Sequence, residues 1–388
     1  MDKVRIGVVG IGNMGFAHAK CIYGGEIEGL TLTAVCDINS ERLSHAAAAL
    51  AGVKTFENYE DLLNSDIADA VIIAVPHPLH SEIAIAAFER GLHVLVEKPV
   101  DITVSKAKKL NEAAEKSGKV FCIMFNQRTS DLFAKAREIV KSGELGELKR
   151  SVWIITNWYR TQGYYDSGDW RATWCGEGGG VLLNQAPHNL DLWQWICGMP
   201  KTVRAVCDVA KYHNIEVEDD ATLYTRYENG ATGVFITSTG EYPGTNRLEI
   251  SGTKGKIVLE NGILKHWKLK ADERDICFNA SAERETEYSE FIPTEKETAH
   301  KGILANFANA VLKGGELLSP GYEGINELTI SNAAYLSSWK NGAEVELPFD
   351  EKEFDMLLSE KIKASSLRNA KIKNNLSGEY KKRWQVIW

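Results

Sequence analysis

Two segments of the sequence carry groups that can transfer protons. Lys98 follows a short apolar run and precedes a proline that restricts its loop. His188 directly follows Pro187, a residue suited to the first turn of a helix. An imidazole with an ordinary pKa of about 6.5 can act as a general base, and an ammonium group can stabilise a developing alkoxide. Both residues are therefore candidates for acid–base chemistry.

The segment around His188 gathers further polar groups. His188, Asp191 and Trp195 would share one face of a helix at i, i+3 and i+7. Asn184 lies just ahead of the helix entrance, and we expect its amide to orient a substrate or the imidazole. A single histidine on a helix is more often structural, but a polar stripe below three consecutive glycines, 178–180, favours a functional site.

The N-terminal segment has the pattern of a dinucleotide-binding turn. A β-branched run at 4–9 leads into G-x-G-x-x-G at 10–15 and then into a helix-compatible segment. In this pattern Gly10 permits the tight turn, Gly12 lets a pyrophosphate approach the backbone, and Gly15 lets helix and strand pack closely. The phosphates would lie at the helix N-terminus, where unpaired N–H groups and the macrodipole favour negative charge.

The end of the second strand indicates which dinucleotide is bound. An apolar run at 30–36 ends in Asp37, 22 residues after Gly15, where a ribose-binding acid is expected. Its carboxylate would accept a hydrogen bond from a 2′-hydroxyl and repel a 2′-phosphate. The sequence therefore predicts NAD as the cofactor, in preference to NADP.

The first 125 or so residues alternate strand and helix, which predicts a doubly wound parallel sheet. The predicted strands are 4–9, 30–36, 70–75, 92–96 and 119–124, and the predicted helices are 41–51, 80–90 and 103–117. Ligands of such sheets bind at the carboxyl ends of the strands. The expected cofactor-binding residues are therefore Gly10, Gly12, Asn13, Met14, Gly15, Asp37, Pro76, His77, His80, Glu97, Lys98 and Gln127.

Beyond residue 130 the pattern predicts an α+β fold with a large, mostly antiparallel sheet. The predicted elements are a helix at 130–142, strands at 147–156, 202–210, 219–228, 231–239, 246–251, 256–260 and 263–269, and helices at 298–313 and 323–339. We expect an NAD-binding Rossmann domain at 1–127, a substrate-binding and oligomerisation domain at 128–347 and a charged C-terminal segment at 348–388.

The loop 156–175 has the composition of a polyol pocket, because aromatic faces pack on sugar faces while polar groups bond hydroxyls. An aromatic lid packed on its own domain or on an oligomer partner is the competing interpretation. The expected substrate-binding residues are Trp158, Tyr159, Tyr164 and Trp170, together with Lys98, Asn184 and His188. Asp166 and Asp169 offset the two arginines of the loop, which favours a neutral substrate over a sugar phosphate. We interpret the glycines at 178–180 as room for close approach beside the nicotinamide, although they could also begin a phosphate site.

These motifs together resemble the glucose–fructose oxidoreductase, inositol dehydrogenase and rhizopine catabolism family over residues 1 to about 347. The resemblance rests on the glycines at 10–15, Asp37, Pro76 with His80, Glu97-Lys98-Pro99, Trp170-Arg171 and the helix with His188 and Asp191. It implies a Rossmann domain, an open-faced sheet and NAD(P)-dependent redox chemistry on sugars, cyclitols or their derivatives. It also implies that Lys98 and His188 are the catalytic residues and adds Arg171 to the cofactor site.

The chain departs from the family pattern at two positions. The family usually has Asp four residues before the histidine, where this chain has Asn184. An amide cannot take up a proton, so proton transfer would rest on His188 and Lys98. His77 replaces the asparagine that is common in the family after the proline of the third long strand, which would alter contacts near the nicotinamide ribose.

The bulk composition excludes several classes of protein. With a net charge of −8, the chain has no overall electrostatic attraction to nucleic acid or anionic membranes. The seven cysteines lack CxxC spacing, and no cysteine accompanies the histidine pair at 77 and 80, so we expect no metal site. No signal peptide or long apolar run is present, and we expect a cytoplasmic protein. Apolar residues on both faces of the strand at 152–155 predict a homodimer or homotetramer.

Three other functions compete with that of a simple sugar or cyclitol dehydrogenase. A short-chain dehydrogenase would need Tyr-x-x-x-Lys, and no tyrosine here has lysine four residues on. A non-catalytic NAD-sensing regulator would be expected to lose the lysine or the histidine, and this chain keeps both. An enzyme that cleaves glycosides with recycled NAD is the third alternative, and net-redox-neutral turnover would identify it.

Overall fold

The computed structural model describes residues 2–279, 281–294 and 297–368. Six parallel strands form one sheet in the order β3-β2-β1-β4-β5-β6. They are β1 (Val4–Val9), β2 (Leu30–Cys36), β3 (Lys54–Phe56), β4 (Ala70–Ile73), β5 (His93–Val96) and β6 (Phe121–Ile123). The intervening helices are α1 (Asn13–Tyr23), α2 (Ser40–Ala49), α3 (Tyr59–Leu63), α4 (His80–Glu89) and α5 (Val104–Ser117).

This sheet confirms the predicted doubly wound fold. β4 is buried along its whole length and β1 at every residue but one, because helices cover both faces, and their apolar runs are the sequence signal of such burial. The sequence did not predict β3 and α3. The three residues of β3 are mostly exposed, so they show no apolar run that would predict a buried strand. The strand order reverses beside β1, so the crevice at its carboxyl end is where a doubly wound sheet binds ligands.

The second sheet has nine strands in the order β14-β13-β12-β11-β7-β10-β9-β8-β15, and all pairs are antiparallel except β7 with β10. The strands are β7 (Leu148–Ile155), β8 (Thr202–Val209), β9 (Glu218–Arg226), β10 (Thr232–Ser238), β11 (Asn246–Gly252), β12 (Gly255–Glu260), β13 (Ile263–Leu269), β14 (Thr286–Phe291) and β15 (Val345–Glu346). The predicted α+β fold with a large, mostly antiparallel sheet is therefore confirmed. β14 and β15 were not predicted, because β14 is an exposed polar edge strand and β15 has two residues.

Eight helices accompany this sheet in the described part of the chain. They are α6 (Asp131–Lys141), α7 (Gln162–Tyr165), α8 (Val181–Asn184), α9 (Pro187–Cys197), α10 (Glu273–Phe278), α11 (Ala299–Lys313), α12 (Gly324–Trp339) and α13 (Glu351–Ala364). On β9, burial alternates from buried Leu223 to exposed Tyr224, so one face of the sheet carries the core and the other faces outward.

The later helices return to the first sheet. Phe307 of α11 is fully buried in the cluster that contains Val4 of β1. Asn332 of α12 accepts a hydrogen bond from the backbone N–H of Val104 at 3.2 Å. Helices from the later part of the chain therefore pack against the first sheet and its helices.

The segment expected only to be charged contains a helix. α13 begins at an Asp350 cap, which accepts from two backbone N–H groups, and it buries Phe354 and Leu358. The Phe354 ring stacks on Trp339 with centroids 5.4 Å apart. The many charges of this amphipathic helix hid its apolar face, and the rest of the predicted segment, 369–388, lies outside the described residues. None of the helices in the described ranges has the length and apolarity to cross a membrane.

Candidate active site

The glycines of the first turn have different neighbours. A Cβ on Gly15 would lie 1.8 Å from the carbonyl oxygen of Gly10, and Gly10 itself has a φ of +85°. Both positions therefore need glycine for the protein's own packing. A Cβ on Gly12 would meet only the Arg42 guanidinium, at 4.0 Å. The space above Gly12 is open, and it fits a pyrophosphate that approaches the backbone.

The helix that follows this turn is ready to bind an anion. α1 begins at Asn13, and no side chain of the described residues caps its N-terminus. Asn13 is exposed and Met14 is partly exposed, so the first turn of the helix faces the crevice. The positive end of the macrodipole at this helix start suits a phosphate.

Asp37 lies where a ribose-binding acid is expected, and it also holds the turn. Its Oδ2 accepts a hydrogen bond from the backbone N–H of Ile11 at 2.9 Å, and its Oδ1 accepts from that of Asn39 at 2.9 Å. The Arg42 guanidinium lies 3.3 Å from Oδ2. Arg42 was not singled out in the sequence; its position in the first turn of α2, five residues after Asp37, is the signal that could have found it.

His80 connects the loop after β4 to the loop after β5. Both ring nitrogens of His80 face backbone carbonyl oxygens, those of Pro99 at 2.7 Å and Val75 at 2.9 Å. His80 thus offers no ring nitrogen to a cofactor, and it supports the loops instead. His77 lies in the loop after β4, two residues beyond Val75. It is buried against Trp170, with ring centroids 6.1 Å apart.

Glu97 contacts the phosphate-binding helix. Its Oε1 accepts a hydrogen bond from His18 Nε2 of α1 at 2.7 Å. Burial alone would raise the pKa of Glu97, but the hydrogen bond from His18 and the charges of His18, His300 and Lys98 hold this pKa at about 2. Glu97 therefore stays ionised and fixes the Lys98 loop against α1. His18 and His300 were missed in the sequence because they lie on distant helices.

Several polar atoms beside the crevice have no protein partner among the described residues. They are Asn126 Oδ1, Gln127 Oε1, Arg171 Nε and His188 Nδ1. Buried polar atoms are normally hydrogen-bonded, and an unmet group often faces a ligand. Gln127, Arg171 and His188 are predicted site residues, and their unmet atoms fit a dinucleotide or substrate in this crevice.

Lys98 connects the first sheet to the segment that carries His188. Its Nζ donates to the backbone carbonyl oxygen of Asn184 at 2.6 Å, and His188 follows four residues later. Burial lowers the pKa of Lys98, whereas the charges of Glu97 and Glu177 raise it. The structure thus brings Lys98 into contact with the segment that carries Asn184 and His188.

The His188 ring is neutral at neutral pH. Burial and the charge of Lys98 lower its pKa well below the ordinary value, because both disfavour the imidazolium. The ring packs edge-on against Phe125, with centroids 6.4 Å apart. A neutral imidazole with an unbonded nitrogen can accept a proton from a hydroxyl group.

Asp191 does not join this site, which corrects the expected polar stripe. Both of its carboxylate oxygens accept hydrogen bonds from Arg128, from Nη2 at 2.6 Å and from Nε at 2.8 Å. The Arg128 guanidinium also lies 5.3 Å from the Trp195 ring centroid. Asp191 and Trp195 therefore hold a buried arginine, and only His188 of the stripe faces the site.

The three glycines before α8 also need correction, because protein atoms fill the space beside them. A Cβ would lie 2.5 Å from Ile102 at Gly178, 2.2 Å from Tyr335 at Gly179 and 1.9 Å from the Glu218 carbonyl oxygen at Gly180. The Glu218 carboxylate accepts from the backbone N–H groups of Gly180 and Leu182, each at 2.9 Å. Protein atoms therefore pack against all three glycines, and the N–H groups of Gly180 and Leu182 are already bonded, which disfavours a nicotinamide or a phosphate at this turn.

The aromatic loop is divided between the core and the site. Trp158 is buried, and its indole N–H donates to Asn189 at 2.9 Å, so it supports α9 rather than facing a substrate. Tyr159 packs against Tyr242 at the surface, with ring centroids 5.5 Å apart. Tyr164 does reach the site, where its hydroxyl lies 3.4 Å from Asn184 Oδ1.

Trp170 and Arg171 also lie at the site. The Arg171 guanidinium packs over Trp170, 4.6 Å from its ring centroid, and donates to the Tyr164 hydroxyl at 2.8 Å. A further site residue that the sequence did not suggest is Glu177, whose buried carboxylate accepts a hydrogen bond from the Asn184 side chain. Its position directly before the three glycines was the available signal.

The glycine turn, Asp37 and the polar crevice at the strand ends define a dinucleotide-binding oxidoreductase. Residues 4–125 match the oxidoreductase family with an NAD-binding Rossmann fold, and residues 133–258 match the GFO/IDH/MocA C-terminal domain. The chain therefore belongs to the glucose–fructose oxidoreductase, inositol dehydrogenase and rhizopine catabolism family. The predicted family and the NAD cofactor are confirmed.

Relatives include dehydrogenases and a glycosyl hydrolase. The scyllo-inositol 2-dehydrogenase (NAD(+)) of Bacillus subtilis is 26% identical over 355 residues, which cover 89% of this chain and 96% of that protein. A glycosyl hydrolase family 109 protein of a Shewanella species is 28% identical over 255 residues, which cover 63% of this chain and 51% of that protein. Among solved structures, the WlbA dehydrogenase from Bordetella pertussis, in complex with NADH and UDP-GlcNAcA, is 27% identical with a TM-score of 0.76, covering 90% of this chain and all of that one.

Proposed function

We propose that this chain oxidises a ring secondary hydroxyl of a neutral sugar, cyclitol or glycoside with NAD. The observation that carries the proposal is the hydrogen bond from Lys98 Nζ to the Asn184 carbonyl, which sets an ammonium group beside the His188 segment at the cofactor edge. Bound NAD supplies the hydride acceptor. The chain's own residues supply the proton transfer and the charge stabilisation.

In this proposal His188 is the general base. Its lowered pKa keeps the ring neutral at neutral pH, so it can take the hydroxyl proton as hydride leaves the carbon. The Lys98 ammonium stabilises the developing alkoxide and can relay the proton. Asn184 cannot exchange a proton and contributes hydrogen bonds. In the reducing direction His188 returns the proton to the carbonyl oxygen.

A neutral polyol fits the groups around Lys98 better than a phosphorylated sugar does. Tyr164, Trp170 and Arg171 offer aromatic faces and hydrogen-bond donors, a combination suited to hydroxyl-rich rings. At the second glycine turn the Glu218 carboxylate accepts hydrogen bonds from the N–H groups of Gly180 and Leu182, which argues against a phosphate site there. A relative named for scyllo-inositol oxidation agrees with this substrate class.

The experiment that tests the proposal is NADH formation at 340 nm across inositols, hexoses, glycosides, uronic acids and sugar phosphates. We expect a neutral ring polyol to be the best substrate. A phosphorylated sugar used at least tenfold more efficiently than its unphosphorylated parent would overturn the neutral-substrate assignment. Absence of NADH from every compound would overturn the dehydrogenase.

The second candidate is glycoside cleavage with recycled NAD, which the similarity to a glycosyl hydrolase family 109 protein favours. In that reaction the same base and ammonium would serve a transient oxidation, and NADH would not accumulate. Release of the aglycone from a nitrophenyl glycoside without net NADH would support this candidate. NADH formed in equal amount to oxidised sugar would reject it.

We also propose that the protein is a homodimer or homotetramer. On β7, Trp153 and Ile155 are buried in the core, whereas Val152 and Ile154 are only half-buried on the opposite face. The same outward face of the sheet exposes Val206 and Tyr224. Light scattering at micromolar concentration is expected to give a dimer or tetramer, and a monomer would contradict the proposal.

A further inference from the structure

The side chain of Asn184 is held by three neighbours. Its Nδ2 donates to Glu177 Oε1, while its Oδ1 accepts from Gln185 Nε2 at 2.9 Å and faces the Tyr164 hydroxyl at 3.4 Å. The two ends of an amide differ only in which one donates. Because Glu177 can only accept when it is ionised, its carboxylate decides which end of Asn184 faces Tyr164.

The Glu177 carboxylate is itself fixed by the loop. Its Oε2 accepts from the backbone N–H of Ala172 at 2.6 Å, and its backbone carbonyl lies 3.1 Å from His77 Nδ1. The charged groups that face this carboxylate are Arg171 and Lys98. Glu177 thus connects the loop of Trp170 and Arg171 to the residue that Lys98 contacts.

A partly buried ammonium group needs compensating negative charge, and three carboxylates act on Lys98. Glu97 is bonded to His18, on the side of α1. Glu327 is fully buried, and neither of its oxygens has a partner among the described residues; burial raises its pKa well above the ordinary value, which disfavours its ionised form. Glu177 differs from both, because its carboxylate is hydrogen-bonded to the side chain of Asn184, whose backbone carbonyl Lys98 contacts.

We propose that Glu177 is a positioning residue of the active site: it orients the Asn184 amide and adds to the charge of Glu97 a second negative charge that favours the ammonium form of Lys98. This inference rests on the proposed function, since it assigns Glu177 a part in the reaction at Lys98 and His188. It goes beyond that function because it assigns to Glu177, seven residues before Asn184, the negative charge that the family usually carries as an aspartate at the position of Asn184.

A pH dependence follows from this assignment. Burial raises the pKa of Glu177 to about 7, although Arg171, the Ala172 N–H and Lys98 oppose this shift. The ionised form is therefore lost as the pH falls through about 7. If ionised Glu177 is needed, kcat falls over the same range, and Glu177→Gln moves the acid limb to the lower pH at which His188 is protonated.

The first experiment compares Glu177→Gln with Glu216→Gln. Glu216 is a matched control, because it also accepts a backbone N–H of this loop, that of Trp174 at 2.7 Å, but it is not among the charges that act on Lys98. We expect Glu177→Gln to lower kcat about 10-fold to 100-fold with little change in KM or NAD affinity. The Glu216→Gln variant keeps the wild-type pH profile.

The second experiment moves the charge. Asn184→Asp sets two carboxylates side by side, which share a proton and shift the acid limb to higher pH. The double variant Glu177→Gln/Asn184→Asp carries one carboxylate again, now at position 184. We expect it to recover most of the kcat that Glu177→Gln loses. Equal kcat in the single and double variants at every pH would overturn the role of the charge.

A titration of Lys98 separates this inference from the proposed function. The ε-carbon signal of Lys98 in ¹³C-lysine-labelled protein, assigned with Lys98→Arg, reports its pKa without any substrate. Loss of the Glu177 charge should lower the pKa of Lys98, while Glu216→Gln should leave it unchanged. An inactive wild type would refute the proposed function alone, whereas an unchanged Lys98 pKa in Glu177→Gln would refute the inference about Glu177.

Discussion

The molecule contains two glycine-rich turns that each lead into a helix, and they serve opposite purposes. At the first turn, the space above Gly12 is open and no side chain of the described residues caps α1. At the second turn, a Cβ on Gly180 would collide with the Glu218 backbone, and the Glu218 carboxylate occupies the N–H groups at the start of α8. The first turn fits a ligand, and the second is filled by protein.

The difference teaches that glycines before a helix do not by themselves make an anion site. What matters is whether an acidic side chain already occupies the N–H groups. Because Glu218 does so at the second turn, the segment after it can be held rigidly. That rigidity sets Asn184 and His188 opposite Lys98, which binds the Asn184 carbonyl. On this account the first turn binds the cofactor and the second supports the chemistry.

The largest expected effect comes from the residues that the second turn supports. Lys98→Ala and His188→Ala should each lower kcat by about 10²–10⁴-fold, as loss of a general acid–base group usually does. NAD affinity should stay nearly unchanged, because the first turn is intact. Steady-state kinetics and NADH fluorescence titration measure both quantities. Near wild-type turnover in either variant would reject the assignment.

The two turns can be compared directly with one pair of substitutions. Gly180→Ala forces a Cβ against backbone and should lower the free energy of unfolding by about 1–3 kcal/mol or more. Gly12→Ala meets open space and should cost less than about 1 kcal/mol, but it should weaken NAD binding strongly. Urea unfolding and NADH titration of both variants test this. Equal stability losses would contradict the contrast between the turns.

Asp37 sharpens the assignment of the first turn to NAD. The carboxylate would face a 2′-phosphate with like charge, so wild-type protein should bind NAD at least tenfold more tightly than NADP. Asp37→Ser with Ile38→Arg should shift the preference toward NADP. Arg42, 3.3 Å from Asp37, is the group that would assist this shift. Calorimetry that gives equal wild-type affinities would contradict the role of Asp37.

The smallest expected effect concerns the aromatic loop, residues 156–175. Arg368 donates to Asp166 at 2.8 Å, and its backbone N–H donates to the Asp169 carbonyl at 2.8 Å, so the chain after α13 holds this loop. Arg368→Ala should raise KM for the polyol up to about fivefold, the value of one partly exposed ion pair, without changing NAD affinity. Lys340→Ala, which breaks the remote Lys340–Glu353 pair, is the control. Equal KM values in the two variants would show that Arg368 does not hold the loop for substrate.

The parts of the fold that could be predicted depend on local patterns. The buried run of β1, the spacing from Gly15 to Asp37 and the alternation of β9 each lie within one segment, so the sequence displays them. The Lys98–Asn184 contact could be anticipated because both flank recognisable motifs. The burial of Trp158 could not, since its N–H partner Asn189 lies on a different element.

The errors have a common physical cause, which is a partner distant in sequence. Asp191 was grouped with His188 by helical spacing, but Arg128, 63 residues earlier, takes its carboxylate. The glycines at 178–180 suggested open space because nothing nearby in sequence shows that Glu218 and Tyr335 fill it. Glu177 was overlooked for the same reason, since only the fold brings its carboxylate to Asn184.

The most direct test of the central claim is deuterium transfer. The best ring polyol, deuterated at its carbinol carbons, is incubated with the protein and NAD, and the nicotinamide is then analysed by mass spectrometry and proton NMR. The account predicts one deuterium at nicotinamide C4 for each molecule of substrate oxidised, with no transfer by His188→Ala above its residual rate. Oxidised product without deuterium in the nicotinamide, or no reduced cofactor from any ring polyol, would contradict it.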